Sequence, residues 1–453
     1  MSSPKACETI DSLGDYLEFM RARGWLLTIR EEVGREDIPA FMERLSGTRK
    51  ALLFEAVKGY NCRLAANIVP SHEVFKGLFG TENPYDHFLQ GIQKTAGKIL
   101  LAERKLETTR VADRDLIDLL PILTHYEKDS APFITTGIVS SPDPDSGVVG
   151  RGIHRLEYRG GNRLGLALLN PPLTTIRDKY RARGEAMPVA ITIGVDPVIF
   201  LAMALKAPPG TDKLEVAGGL KGRGVEVIRA YDSSADVPAA GEFLLEGCID
   251  EGKRKIDGPL GEISGYYLTF PESPTVLVER LSHRENPIYH ALLPTALEAD
   301  AYLTFVSRAH LEESAKRLFP FIVNIAYIPG TFGSSLVVCV QTAEKFRIRN
   351  LLLFLLSFPM IKKAVIVDDD VNPEDLRDVE WAVVTRCRAD EDMIIVNRLQ
   401  GQPIDPLAED TYGVTKIGIN ATIAGKKIAD RVKVTGGNSE RIERIIRSLN
   451  KGA

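Results

Sequence analysis

The sequence predicts an α/β protein in three consecutive parts: an α/β segment over residues 1–112, a strand-rich segment of barrel or sandwich type over 113–300, and a second α/β segment over 301–453. Three observations predict it. Apolar residues at helical spacing alternate with strand-like runs through the first hundred residues. From about Leu116 the texture becomes a succession of short apolar or alternating runs bounded by turn residues. From about Ala301 helix and strand patterns alternate again, which favours a parallel sheet. A chain of 453 residues exceeds one ordinary core and suits roughly two to four domains.

In the first part, Asp11 or Ser12 caps a helix carrying Leu13, Tyr16, Leu17 and Met20 at helical spacing, and Gly24 ends it. "WLLTI" reads as a strand, "AFMERL" as a second helix and "ALLFEAV" as a second strand; "GYN" punctuates before "CRLAANIV". A helical stretch continues through "GIQKTAGKILLAERKL". In the second part the strand-like runs are "FITTGIVSS", "HRLEYR", "RLGLALL", "PVAITIG", "VEVIRAY", "EFLLEGCI", "TVLVERLSH" and "PIYHALL", with helical inserts at Thr174–Arg183 and Pro197–Leu205. In the third, "AVIVDDDV" is a buried strand running into an acidic turn, followed by "WAVVTRC" and "DMIIVN". The tail Ser439–Leu449 is an amphipathic helix with Ile442, Ile445, Ile446 and Leu449 on one face. It reads as a solvated docking helix, since no aromatics interleave its charges as a nucleic-acid surface requires.

Composition excludes several classes. A net charge of −4 gives no global attraction to nucleic acid or to an anionic membrane. No apolar run approaches the ~18–20 residues of a membrane span. The N-terminus lacks the apolar core of a signal peptide. Cys7, Cys62, Cys248, Cys339 and Cys387 are odd in number, dispersed and never paired as CxxC, which predicts buried thiols in a reducing, cytoplasmic setting. There is no GxGxxG after a strand, no Walker loop, no HExxH and no GxSxG. "AGGLKGRG" is glycine-rich without matching a phosphate loop.

The most informative stretch is Lys255–Tyr267, "KIDGPLGEISGYY". Pro259 fixes its own φ while Gly258 and Gly261 permit unusual ones, so a turn here can bring Asp257 and Glu262 to one side. Like charges held close, or buried, raise one partner's pKa, so one acid can donate a proton while the other remains a base. On spacing alone the pattern fits a solvated surface hairpin better, because acids near turns are common.

The same stretch resembles the "EGPFGE-tGYY" signature of the UbiD family of reversible decarboxylases. Leu120–Tyr158, Met187–Pro197, Leu214–Gly222, Val237–Gly247, Ala364–Cys387 and Lys416–Thr422 are similar to family segments in the same order and at near-family spacing, so the resemblance covers most of the chain. It implies an α/β fold with a central split β-barrel that binds flavin, flanked by N- and C-terminal α/β domains. It implies prenylated FMN as cofactor, made by a flavin prenyltransferase, and removal or addition of CO2 on an unsaturated or aromatic acid. By position, Arg155 is the family's catalytic arginine, which holds a carboxylate and tunes the acids. Glu262 is the proton donor, and Asp257 stands where many members have Glu, one methylene shorter. Lys416 matches a flavin-contacting lysine, and His290 and Glu298 line up with a segment that shapes the substrate pocket. His154, beside Arg155 on a strand, points the opposite way and reads as structural.

The chain departs from the pattern where the family holds a divalent metal, often manganese, over the flavin phosphate. The family's asparagine, histidine and glutamate ligands fall at Gly150, at Pro172 or Leu173, and at Lys213, and no histidine lies between His154 and His283. None of these supplies a metal ligand, so no family-type metal site is expected. Lys213 and Arg151 are the cations placed to meet a phosphate instead. The expected protein is a cytoplasmic carboxy-lyase assembled as a dimer or hexamer. The other reading is a non-catalytic or cofactor-free subunit of a multi-subunit carboxylase, its basic tail docking on a homologous chain.

Overall fold

The computed structural model describes residues 5–101, 106–111, 114–208, 210–341, 344–409, 413–432, 441–442 and 444–446. In the N-terminal part the helix Leu13–Ala22 starts at a capping box: the Ser12 hydroxyl accepts the Asp15 amide and the Asp15 carboxylate accepts the Ser12 amide. It buries Leu13, Tyr16, Leu17 and Met20, the four residues its spacing predicts. Strands Leu26–Ile29, Ala51–Phe54 and Arg63–Ala66 form a four-stranded sheet whose last strand, Ile288–His290, comes from much later in the chain.

The helix predicted through "GIQKTAGKILLAERKL" is confined, among the described residues, to its first three, Gly91–Gln93. The helix Pro84–Gln93 stops, and Ile99–Leu100 pairs in parallel with Glu226–Arg229. The intervening chain is gripped by the helix Lys213–Lys221: the Ala96 amide donates to the Glu215 carbonyl, and a Cβ on Gly219 would stand 2.3 Å from the carbonyl oxygens of Gly91 and Lys94. The glycines of "AGGLKGRG" therefore permit close backbone packing.

The central sheet has seven strands in the order Phe243–Gly261, Pro188–Ile193, Phe133–Pro142, Val149–Tyr158, Arg163–Leu166, Tyr267–His283 and Glu107–Arg110. The two longest, Phe243–Gly261 and Tyr267–His283, also pair with each other, so six strands close into a ring. Leu156, Leu164, Val189, Ile191, Leu245, Val276 and Val278 fall in one buried cluster, as alternation along strands requires. The helical inserts are Leu173–Arg183 and Pro197–Ala204.

A helix, Leu297–Leu318, leads into a C-terminal sheet ordered Ile322–Tyr327, Ser335–Val340, Lys363–Asp368, Gly413–Ala421 and Met393–Gln400. Its middle three strands are parallel and its two edges antiparallel, so the sheet is mixed. Alternation sends Leu336, Val338 and Ile366 to the side of helix Lys345–Leu356, and Val337, Cys339 and Val365 to the side of helix Leu376–Arg386. The run "WAVVTRC" lies mostly in that second helix. Of the predicted tail helix, residues 441–442 and 444–446 are helical; Ser439, Leu449 and the rest lie outside the described residues. No helix among the described residues is long and apolar enough to cross a membrane.

Candidate active site

The glycine-proline segment is not the turn its composition predicts. It lies inside the strand Phe243–Gly261, where the register against Tyr267–His283 slips between Asp257 and Leu260. The chain reverses just beyond it, the Glu262 amide donating to the Tyr266 carbonyl and the Gly265 amide to that of Glu262. Gly258 has φ +94°, and a Cβ there would sit 2.7 Å from the Leu268 carbonyl oxygen. The glycine thus serves a bulge in a long hairpin.

That bulge delivers both acids to Arg155, which projects from the strand Val149–Tyr158. Arg155 Nε and Nη2 donate to Asp257 Oδ1 at 2.8 and 2.5 Å, and Nη1 donates to Glu262 Oε1 at 2.6 Å. The guanidinium lies 4.4 Å from the Phe270 ring centroid, a cation–π contact. The Arg155 and Asp257 side chains are 8% and 0% exposed and that of Glu262 is 21% exposed, so Glu262 is the member that meets solvent. Burial pushes the Asp257 carboxyl above its ordinary value, and the Arg155 charge opposes that rise.

Three further side chains stand behind Asp257. Glu157 Oε1 accepts the Gly258 amide at 3.2 Å and the Ser130 hydroxyl at 2.6 Å, and Oε2 accepts Arg159 Nε at 3.0 Å. Arg159 Nη2 reaches Ser273 Oγ at 2.7 Å, and Ser273 Oγ lies 3.3 Å from Asp257 Oδ2. Sequence reading did not single these residues out. The signal was present in "RLEYR": Arg155, Glu157 and Arg159 recur at the two-residue period that places side chains on one strand face. Asp129 supports the turn, accepting amides from His125, Tyr126 and Gly261, and the Tyr126 ring fills the space over Gly261.

The other predicted residues lie outside this trio. His290 Nε2 and Glu298 Oε1 are 2.9 Å apart with both side chains fully buried; Glu298 also accepts the Ile68 amide, and the His290 ring stacks edge-on to Phe200. Lys416 lies in the C-terminal sheet, its ammonium held by the carbonyls of Leu356 and Phe358 at 3.1 and 2.6 Å, and burial lowers its pKa to about 8. His154 points away from the acids, bonding the Ala167 carbonyl at 2.9 Å.

Arg151 and Lys213 share one neighbourhood. Arg151 grips Asp212 through Nε and Nη2 at 2.8 and 3.3 Å and donates to Ser140 Oγ at 3.0 Å. Burial pushes Asp212 up, but Arg151 and Lys98 outweigh it and hold the carboxyl at about 2. Lys213, the next residue, is buried with its ammonium on the Met203 carbonyl at 2.8 Å and no carboxylate partner among the described residues, and burial lowers its pKa to about 8. A Cβ on Gly150 would stand 2.3 Å from Ile176 Cδ1 and 3.3 Å from Pro172 Cγ, so apolar atoms fill the place where a longer side chain would reach. These residues do not fit a divalent cation: they offer it an ammonium, a methyl and a ring carbon. A cleft of about 590 Å³ between the N- and C-terminal parts, lined by His72, Asp300, Arg308, Tyr327 and Glu374 among others, does not include the trio.

Family models for the N-terminal, Rift-related and C-terminal domains of 3-octaprenyl-4-hydroxybenzoate carboxy-lyase match residues 17–92, 101–296 and 302–421. The chain is 32% identical over 399 residues to an anhydromevalonate phosphate decarboxylase of Methanothermobacter thermautotrophicus, covering 87% of this chain and 88% of that one. It is 29% identical to a phenolic acid decarboxylase of Bacillus subtilis, covering 90% and 92%. Among solved structures it superposes with TM-score 0.89 on the UbiD-class enzyme HmfF from Pelotomaculum thermopropionicum in complex with FMN, at 29% identity and covering 96% and 99%. An evolved dimeric form of HmfF in complex with prFMN gives a TM-score of 0.85. The chain belongs to the UbiD family and is a carboxy-lyase of that family.

Proposed function

We propose that the protein decarboxylates, or in reverse carboxylates, a small unsaturated or aromatic acid, with Glu262 donating the proton that replaces CO2. The observation that carries this reading is the Arg155 bridge: one guanidinium spans a fully buried acid, Asp257, and a partly exposed one, Glu262. Arg155 positions both acids and supplies the positive charge beside which a substrate carboxylate docks. Glu262, reached by solvent, can be reprotonated after each turnover. The closed central sheet is read as the split barrel that holds prenylated FMN, which when bound supplies the electron sink for the C–C bond change. Residues 1–112, 113–300 and 301–453 are read as the three domains.

Lys213 is assigned to the flavin phosphate in place of the metal, with Arg151 holding Asp212 back from it. A buried ammonium with one carbonyl as its partner among the described residues has donors to spare for a phosphate. Lys416 is assigned to the flavin from the C-terminal side, and His290 with Glu298 to the wall of the substrate pocket. The cofactor comes from a flavin prenyltransferase, and the enzyme works in the cytoplasm as a dimer or hexamer. The reading as a non-catalytic subunit is disfavoured by the intact arginine–acid trio.

The test is co-production with a flavin prenyltransferase, followed by mass and metal analysis and a CO2-release assay. The assay panel holds phenolic acids and anhydromevalonate phosphate, the classes named for the relatives. Prenylated FMN bound without stoichiometric manganese, with turnover abolished in Glu262→Gln, is the expected result. Undiminished turnover in Glu262→Gln would overturn the donor assignment.

A further inference from the structure

Asp257 and Glu262 share one arginine, yet their remaining hydrogen-bond partners differ in kind. The guanidinium of Arg155 only donates, and Asp257 Oδ1 accepts from it twice. The other oxygen, Oδ2, faces Ser273, a hydroxyl with a single hydrogen. Arg159 Nη2, 2.7 Å from Ser273 Oγ, is also a donor only, so Ser273 must accept from it. The hydroxyl hydrogen then turns to Asp257 Oδ2. Glu157 fixes the direction of the Arg159 fork through Nε and anchors the Gly258 amide next to Asp257. Among the described residues every side-chain partner of the Asp257 carboxylate thus presents a hydrogen to it, and a proton added there would compete with these donors.

We propose that Arg159 and Ser273 are positioning residues that hold Asp257 as a carboxylate acceptor, leaving Glu262 as the member of the trio that carries the transferable proton. Glu262 is built for that role: among the described residues only Arg155 donates to it, on Oε1, so Oε2 is open to hold a hydrogen. In the reaction the Oε2–H bond breaks, its proton passes to the carbon that has lost CO2, and the resulting carboxylate pairs with Arg155 until water reprotonates it. The charged groups facing Asp257 are Arg155, Glu157 and Arg159 from the strand Val149–Tyr158 and its continuation. Glu262 shares Arg155 with it, while the partner strand contributes the neutral Ser273. The assignment of the proton to Glu262 rests on the proposed donor role; the locking of Asp257 does not.

Infrared pH-difference spectra of the full chain test the lock without a substrate, with Asp257→Asn and Glu262→Gln identifying each carboxyl band. Wild type is expected to show Asp257 ionised throughout the neutral range. Ser273→Ala removes one hydrogen bond to a charged group and is expected to raise the Asp257 titration by about one to two pH units. Ser273→Thr, which keeps the hydroxyl, restores it. Arg159→Lys, which keeps the charge but not the fork, moves it in the same direction as Ser273→Ala. An Asp257 band that titrates identically in wild type, Ser273→Ala and Arg159→Lys, or that is protonated at neutral pH in wild type, overturns the inference. If Asp257 responds as expected but Glu262→Gln turns over as wild type does, the lock stands and the donor reading fails.

Discussion

Replacing Lys213 by methionine separates a binding role from a structural one, because the two predict opposite changes in stability. The ammonium is buried against the Met203 carbonyl with no carboxylate partner among the described residues, and its pKa falls from 10.5 to about 8. Below pH 8 the lysine is protonated in both folded and unfolded chains, and the folded state bears the full cost of the buried charge, roughly 3 kcal/mol at ~1.4 kcal/mol per pKa unit. Methionine keeps the apolar stem and loses one hydrogen bond worth about 1 kcal/mol. Lys213→Met is therefore expected to stabilise the ligand-free protein by about 2 kcal/mol at pH 7, seen as a higher midpoint in urea or heat. Between pH 8 and 10.5 the folded lysine gives up its proton before the unfolded one does, so wild type gains stability and the gap closes. The same variant is expected to bind FMN about 10- to 100-fold more weakly by fluorescence titration in EDTA, the loss of one charge-assisted contact to phosphate. A Lys213→Met protein that is less stable at pH 7 and binds FMN as wild type does would refute the reasoning.

Gly258→Ala is expected to lower stability by about 1–3 kcal/mol and to depress turnover together with it, because φ is +94° and the new Cβ meets the Leu268 carbonyl 2.7 Å away beside Asp257. Gly265→Ala, at φ +81° with nothing within 4 Å, is the control; a cost of about 1–2 kcal/mol with turnover retained is expected in thermal melts and CO2 assays. His290→Leu leaves the fully buried Glu298 with the Ile68 amide, and a loss of about 3 kcal/mol in denaturant titrations is expected. An unchanged midpoint would show that the pair carries no structural load.

Local pattern made much of this molecule legible. The helix Leu13–Ala22 has its capping residue and all four buried positions written within ten residues of sequence, so no distant contact was needed to read it. Most strands of the central sheet were visible as apolar runs between turn residues. Errors arose where a distant backbone took over. Ile99–Leu100 is a strand because Glu226–Arg229 lies beside it and glycines on another helix hold the chain before it. Gly258 reads as a turn in isolation and is a bulge because Tyr267–His283 pairs on past it. The alternation in "RLEYR" puts Arg159 on the face of Arg155, but Ser273 sits in no distinctive motif and its relation to Asp257 depends on strand register.

The sequence by itself determined the three-part order and the kinds of residue available for chemistry, since each of these is a property of residue identity along the chain. Only the tertiary structure decided which charges meet. Arg155 and Asp257 are 102 positions apart, and they touch because the long hairpin closes the central sheet into a ring and its bulge turns the Asp257 carboxylate onto the neighbouring strand. Burial, which raises Asp257 and lowers Lys213, is likewise set by everything packed around a residue, and a linear pattern does not carry it.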